Sequence, residues 1–169
     1  SMPKTGKIRK SRSWEGVRFL QLANEFAAGH GLNFKNYGCK DQVYPYIQQE
    51  NESDFSLFSR LCTLEGCQML IYDGGLLAYN EQYIEGQAPV GSLEIDEKGV
   101  FQYADDRERV YGSCEIASGS FFGRFVADAS NKAVLRPEIA IKATSNGEAA
   151  RFAKGLLRNA NKYSRTGQF

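Results

Sequence analysis

The feature that most restricts the fold is a change of hydrophobic period partway along the chain. In the first half, apolar residues recur every three or four positions, as one buried helical face requires. Phe19, Leu22, Ala23 and Phe26 form one such set, and Phe55, Phe58, Leu61 and Cys62 a second. Beyond the glycines at 86 and 91 the repeat falls to two. Val110, Gly112, Cys114 and Ile116 alternate with Tyr111, Ser113 and Glu115, the pattern of a half-buried strand. Both periods in one chain call for an α+β fold. The expected organisation is a basic tail or linker at 1–13, a helix-and-hairpin module at 14–86, and a small antiparallel β-barrel-like domain at 87–169 with a C-terminal helix.

Stop signals refine this scheme. A helix is expected from Ser13, ended by Gly29 and Gly31, with His30 at a C-terminus where the helix dipole favours a cation. A second helix starts at Asn51-Glu52-Ser53-Asp54. Ser53 can accept from an orphan amide, Asp54 complements the positive helix end, and Gly66 terminates the run. Cys67 to Tyr79 reads as a β-hairpin turning at Asp73-Gly74-Gly75. Strands are expected at 100–103, 110–116, 121–127 and 134–143, with Pro137 holding the last to an edge or bulge because it lacks an amide proton. Serial antiparallel strands at this spacing suit a small barrel or sandwich. A final helix from Gly147 to Tyr163 buries Ala149, Phe152, Ala153, Leu156 and Ala160. Arg151, Lys154, Arg158, Lys162 and Arg165 then lie near a single cationic stripe, a candidate docking surface.

Little in the sequence suggests chemistry. A formal net charge of +1 gives no overall field to draw nucleic acid or anionic lipid. The basic run Lys4, Lys7, Arg9, Lys10 and Arg12 contains no aromatic residue and reads as a solvated linker; the rival reading is a nucleic-acid arm over Arg9 to Arg18 with surface tyrosines. No apolar run approaches the ~20 residues of a membrane span, and the N-terminus has no signal-peptide stretch. Cys39, Cys62, Cys67 and Cys114 form no C-x-x-C pair, and His30 is the only histidine, so no zinc set assembles at usual spacing. Four reduced core cysteines in a cytosolic-type protein are expected. Neither G-x-S-x-G nor a phosphate-cradling glycine motif occurs. Glu50, Glu52 and Asp54 cluster at a helix start, where acids serve capping and the dipole. The expectation is no catalytic residue, cofactor or metal site. Phe121, Phe122 and Phe125 instead put aromatic rings on both faces of one strand, which leans towards subunit contacts.

The segment from Gln48 to Leu61, with Gly66 and the hairpin behind it, resembles the phage late control gene D protein family. These are tail hub proteins related to type VI secretion spike proteins. The matching pattern is Q-x-N-E-S-D, two residues, F-L-x-R-L, then a glycine and a β-hairpin; here Leu57-Phe58 reverses the usual order. Trp14-Glu15-Gly16-Val17 with Gly29-His30-Gly31-Leu32, and the region from Ala149 to Phe169, are similar to further segments of the family. The histidine-containing tract frequent in secretion spikes is missing, so the tail-hub branch is the nearer one. The family's first barrel is absent, a further strand is expected after Phe169, and Ser1-Met2 reads as a cloning remnant, which suggests an excerpt of a longer protein.

The resemblance implies a structural component of a phage or prophage baseplate hub in a contractile injection system. Such a hub is a ring-shaped trimer that contacts the tail tube and a spike or tip protein, located in the virion tail and assembled in the bacterial host cytoplasm. Asn51, Glu52, Ser53, Asp54, Arg60 and Leu61 carry the family signature, with a structural role. Phe121, Phe122, Phe125, Arg151, Lys154 and Arg158 are the candidate interface residues. The alternative is a tail-associated peptidoglycan hydrolase domain with Glu50 or Glu52 opposite a second carboxylate.

Overall fold

The computed structural model describes residues 3–85 and 110–166. A 3-10 turn at Lys4–Lys7 leads into β1 (Arg9–Arg18), α1 (Phe19–Gly29), β2 (Asn33–Tyr37), β3 (Val43–Ser53), α2 (Asp54–Leu64), β4 (Gln68–Tyr72), β5 (Gly75–Tyr79) and the short α3 (Glu81–Glu85). The second described stretch holds β6 (Ser113–Ser118), β7 (Phe121–Val126), β8 (Val134–Leu135) and the long α4 (Asn146–Thr166). Among the described residues the strands make three small sheets: β1 with β3, the order β2-β5-β4, and the order β7-β6-β8.

The two helical stripes do what their period requires. Phe19 and Phe26 of α1 and Phe55 and Phe58 of α2 are all within 1% of full burial. Phe58 is the hub of this cluster, with ring centroids 5.2 Å from Phe19 and 6.2 Å from Phe26. Truncating any one to alanine removes about 3–5 kcal/mol of packing. Both helices stop where the glycines fall. At the end of α1, Leu32 N–H donates to the Ala27 carbonyl and Gly31 N–H to that of Ala28; at the end of α2, Cys67 N–H donates to Cys62 and Gly66 N–H to Thr63. Each is the paired bond pattern that satisfies the last carbonyls of a helix. The β4–β5 hairpin turns at Asp73 and Gly74, both at positive φ, as an Asp-Gly step allows. All four cysteines are buried, and burial pushes the Cys114 thiol up to about 11.

Two expectations are corrected. The helix expected from Ser13 begins only at Phe19, and the preceding residues belong to β1. Arg9–Arg18 carries no helical stripe, and Gly16 sits at φ +65, outside any right-handed helix. This strand instead runs antiparallel to β3 from Arg18 opposite Val43 to Arg9 opposite Ser53, with a bulge between Lys10 and Arg12. The solvated linker read into the basic run is therefore in part a paired strand.

The second correction concerns the barrel. None of the sheets among the described residues closes. β6 and β7 pair antiparallel as expected, but β8 is two residues long and lies parallel to β6, Ser113 opposite Val134. The chain leaves the sheet just before Pro137, which has no amide to continue the ladder. The strand expected at 100–103 falls outside the described residues.

The long C-terminal helix is present and ties the molecule together. α4 covers one face of the β6–β7 pair and crosses the end of α2, burying Ala149, Phe152, Ala153 and Leu157. At the crossing, a side chain on Gly155 would run into the Leu64 carbonyl and the Gly66 amide. A glycine inside a helix costs about 1 kcal/mol relative to alanine. Here it is what lets the two backbones touch.

Candidate functional site

The start of α2 concentrates the polar groups. The bulge lies in β3, where Glu50 and Asn51 together oppose Ser11 of β1, and Asn51 adopts φ +45, a left-handed conformation that Asn tolerates better than most residues. Its amide donates to the Ser11 hydroxyl at 3.0 Å. Glu52 is held by Arg60 at 2.8 Å, a side chain from the middle of α2 reaching back to the strand that feeds the helix. Ser53 is the N-cap and accepts from the Ser56 amide at 3.1 Å, as its residue type and place predict. Leu61 is fully buried in the core.

Asp54 does more than complement the helix dipole. Its carboxylate is 2% exposed and receives Lys10 at 3.0 Å, Arg12 at 2.8 Å, the Gln49 amide at 2.9 Å and His30 Nε2 at 2.9 Å. Arg12 and Gln49 face one another across the β1–β3 ribbon and are bonded at 2.9 Å, so the ribbon's register aims both at one point. Arg12 also lies over the rings of Trp14 and Phe26. Burial alone would raise the Asp54 carboxyl. Hydrogen bonds from Gln49, Lys10 and His30, with the charge of Arg12, outweigh it and hold the group down at about 2.

His30 sits at the end of α1 as expected, but its ring does not cap that helix. The side chain is 3% exposed and packs on Phe55, the rings tilted by 46° with centroids 4.6 Å apart. Beyond the Asp54 contact, Nδ1 lies 2.7 Å from the Thr5 hydroxyl. Hydroxyl, imidazole and carboxylate thus form one line. Residues 5, 30 and 54 share no local spacing, so no motif search joins them; only the folding of β1 back onto α2 does.

The opposite end of α2 carries a second buried carboxylate. Glu65 accepts Arg151 Nε and Nη2, each at 3.0 Å, and the Tyr44 hydroxyl at 2.5 Å. Burial, then the neighbouring Glu65, pushes the Tyr44 phenol up. Burial would lower Arg151, but Glu65 more than offsets it. Arg151 therefore faces inward, and Lys162 is paired with Glu81. Lys154 lies over the Phe125 ring, and Arg158 rests beside Gly66. The cationic stripe of α4 is largely committed to contacts within the chain.

The three phenylalanines of β7 divide as a strand should. Phe121 and Phe125 are half-buried, with Phe125 packed against the core, whereas Phe122 is 51% exposed. Phe122 and Val126 stand on the sheet face that α4 does not cover. Phe122 borders an open groove of about 610 Å³ whose lining includes Ala117, Pro137 and Ile139, with Arg136 and Glu115 paired at its rim at 3.0 Å. The remaining acids of the triplet are spoken for: Glu50 accepts from Gln48, and Glu52 is the partner of Arg60. Among the described residues no group of three His, Cys, Asp or Glu is placed to hold a metal, and no helix is long and apolar enough to cross a membrane.

No protein-family model matches the sequence, and no curated protein does. Among solved structures it is similar to a phage protein. That structure is the crystal structure of the 43 kDa tail protein of prophage MuSo2 from Shewanella oneidensis, with 15% sequence identity and a TM-score of 0.49. The likeness covers 89% of this chain and 47% of the other, so the chain spans about half the length of that protein.

Proposed function

We propose that this chain is a structural part of a phage or prophage tail, in the baseplate hub, working through contacts with other subunits and not through catalysis. The observation that carries the reading is how the residues resembling the late control gene D hub family are used. Asn51 makes the bulge, Glu52 and Arg60 brace the helix, Ser53 caps it, Asp54 gathers the ribbon, and Leu61 enters the core. Framework roles are what a hub resemblance implies for these positions. The uncovered sheet face with the exposed Phe122 and Val126, beside a groove of mixed apolar and charged lining, supports the same reading, since large exposed apolar side chains next to a polar rim suit a protein partner. Further copies of the chain, a tail-tube protein and a spike or tip protein are the partners that fit it, in the virion tail after assembly in the host cytoplasm.

Sedimentation of the purified chain tests the proposal. A trimer is expected at micromolar concentration, reduced to monomer by Phe122→Asp. A chain that stays monomeric throughout, binds no tail-tube protein and releases fragments from peptidoglycan would overturn it in favour of a hydrolase.

A further inference from the structure

We propose that Thr5 is a reactive hydroxyl that accepts acyl groups, activated through His30 by Asp54. The carboxylate of Asp54 can only accept hydrogen bonds, so in the neutral ring the imidazole hydrogen resides on Nε2, which lies 2.9 Å from Oδ2. That leaves Nδ1 as a bare lone pair, 2.7 Å from Thr5 Oγ1, and the hydroxyl must be the donor. This order of hydroxyl, base and orienting acid is the arrangement that turns a serine or threonine into a nucleophile.

The surroundings suit the role. His30 and Asp54 are 3% and 2% exposed, so the base is held in one orientation by Phe55 on its face and the carboxylate at its edge. Thr5 itself is exposed, and an acyl donor can reach it from solvent. His30 is the only histidine of the chain, so no other hydroxyl in the molecule has an imidazole base of its own. The fitting donors are small activated acyl compounds, aryl esters and thioesters, which need no shaped pocket. In the step, Thr5 Oγ1 bonds to the carbonyl carbon as the bond to the leaving group breaks. The hydroxyl proton passes to His30 Nδ1 and from there to the departing phenolate or thiolate. The product is a threonine ester, with no change of oxidation state.

The intact chain incubated with p-nitrophenyl acetate, quenched in acid at short times and mapped by peptide mass spectrometry, tests this. Hydroxylamine distinguishes the esters, which it cleaves, from lysine amides, which it does not. Thr5 is expected to acetylate at least tenfold faster than any other hydroxyl of the chain. Thr5→Val should abolish the labile adduct, Thr5→Ser should keep it, and His30→Gln should bring Thr5 down to the level of the other hydroxyls while lysine labelling stays unchanged. Equal labelling of Thr5 with and without His30, or only amide adducts at Lys4 and Lys7, overturns the proposal. If His30→Gln does not fold by circular dichroism, the rate ratio within the native chain decides alone, and a Thr5 no faster than its peers ends the idea.

Discussion

The two ends of α2 solve the same problem with unequal means. Each places a buried carboxylate at a helix terminus. At the first turn, Asp54 has the helix dipole on its side, together with Lys10, Arg12, Gln49 and His30. At the last, Glu65 meets the negative end of the same dipole and relies on one bidentate arginine and one phenol. The difference teaches that dependence on any one partner falls as partners multiply. A group with several donors survives losing one of them; a group with two does not.

Variants can break this comparison. The largest effect is expected for Asp54→Ala, which leaves two cations and a buried imidazole converging on nothing. Removing one member of such a buried set costs about 3–5 kcal/mol, measurable as a lowered urea midpoint. Arg151→Met should follow at about 2–4 kcal/mol, because Glu65 is 7% exposed and keeps only Tyr44. Lys10→Met should cost under about 1 kcal/mol, since its side chain is 36% exposed and Arg12 remains. If Lys10→Met were as damaging as Arg151→Met, the account of shared against concentrated dependence would fail.

Acid sharpens the comparison in a second way. The Asp54 carboxyl sits at about 2 in the fold against 3.8 without it. A depressed value stabilises the folded chain at pH above the unfolded value, and that stability drains away as pH falls from about 4 through 2. The loss amounts to about 2 kcal/mol and is read from thermal midpoints across that range. Asp54→Asn should flatten this part of the profile. Gly155→Ala, which forces α4 off the Leu64 carbonyl, should cost about 1–2 kcal/mol and loosen the Glu65 end alone. Thr5→Val should cost about 1 kcal/mol, because it leaves Nδ1 of the buried His30 ring without its 2.7 Å partner.

Much of this was legible in the sequence, and the unreadable part has a physical cause. The stripes through Phe19–Phe26 and Phe55–Cys62, the Asp73-Gly74 turn, the Ser53 cap and the alternation around Cys114 and Ile116 are local patterns, and the fold honours each. The β1–β3 ribbon left no such trace. Most of its residues are exposed, and those it sends inward, Trp14 and Val17 from one strand and Tyr44 and Ile47 from the other, are spaced by three and not by two. Arg12 and Gln49 add a polar contact that no hydrophobic pattern marks. The family-like block pointed to Asp54, but its partners lie 5, 24, 42 and 44 residues away and only the tertiary fold unites them. Among the described residues no barrel closes, and the strand expected at 134–143 stops at Leu135, two residues before Pro137, which has no amide to continue a ladder.

That α2 is gripped at one end by residues from β1 and at the other by α4 has a mechanical consequence. Tension entering through β1 or through α4 reaches the same eleven-residue rod by way of buried ion pairs. Under such a pull the Arg151–Glu65 contact is the expected first break, since Glu65 has fewer partners to share the load than Asp54 has.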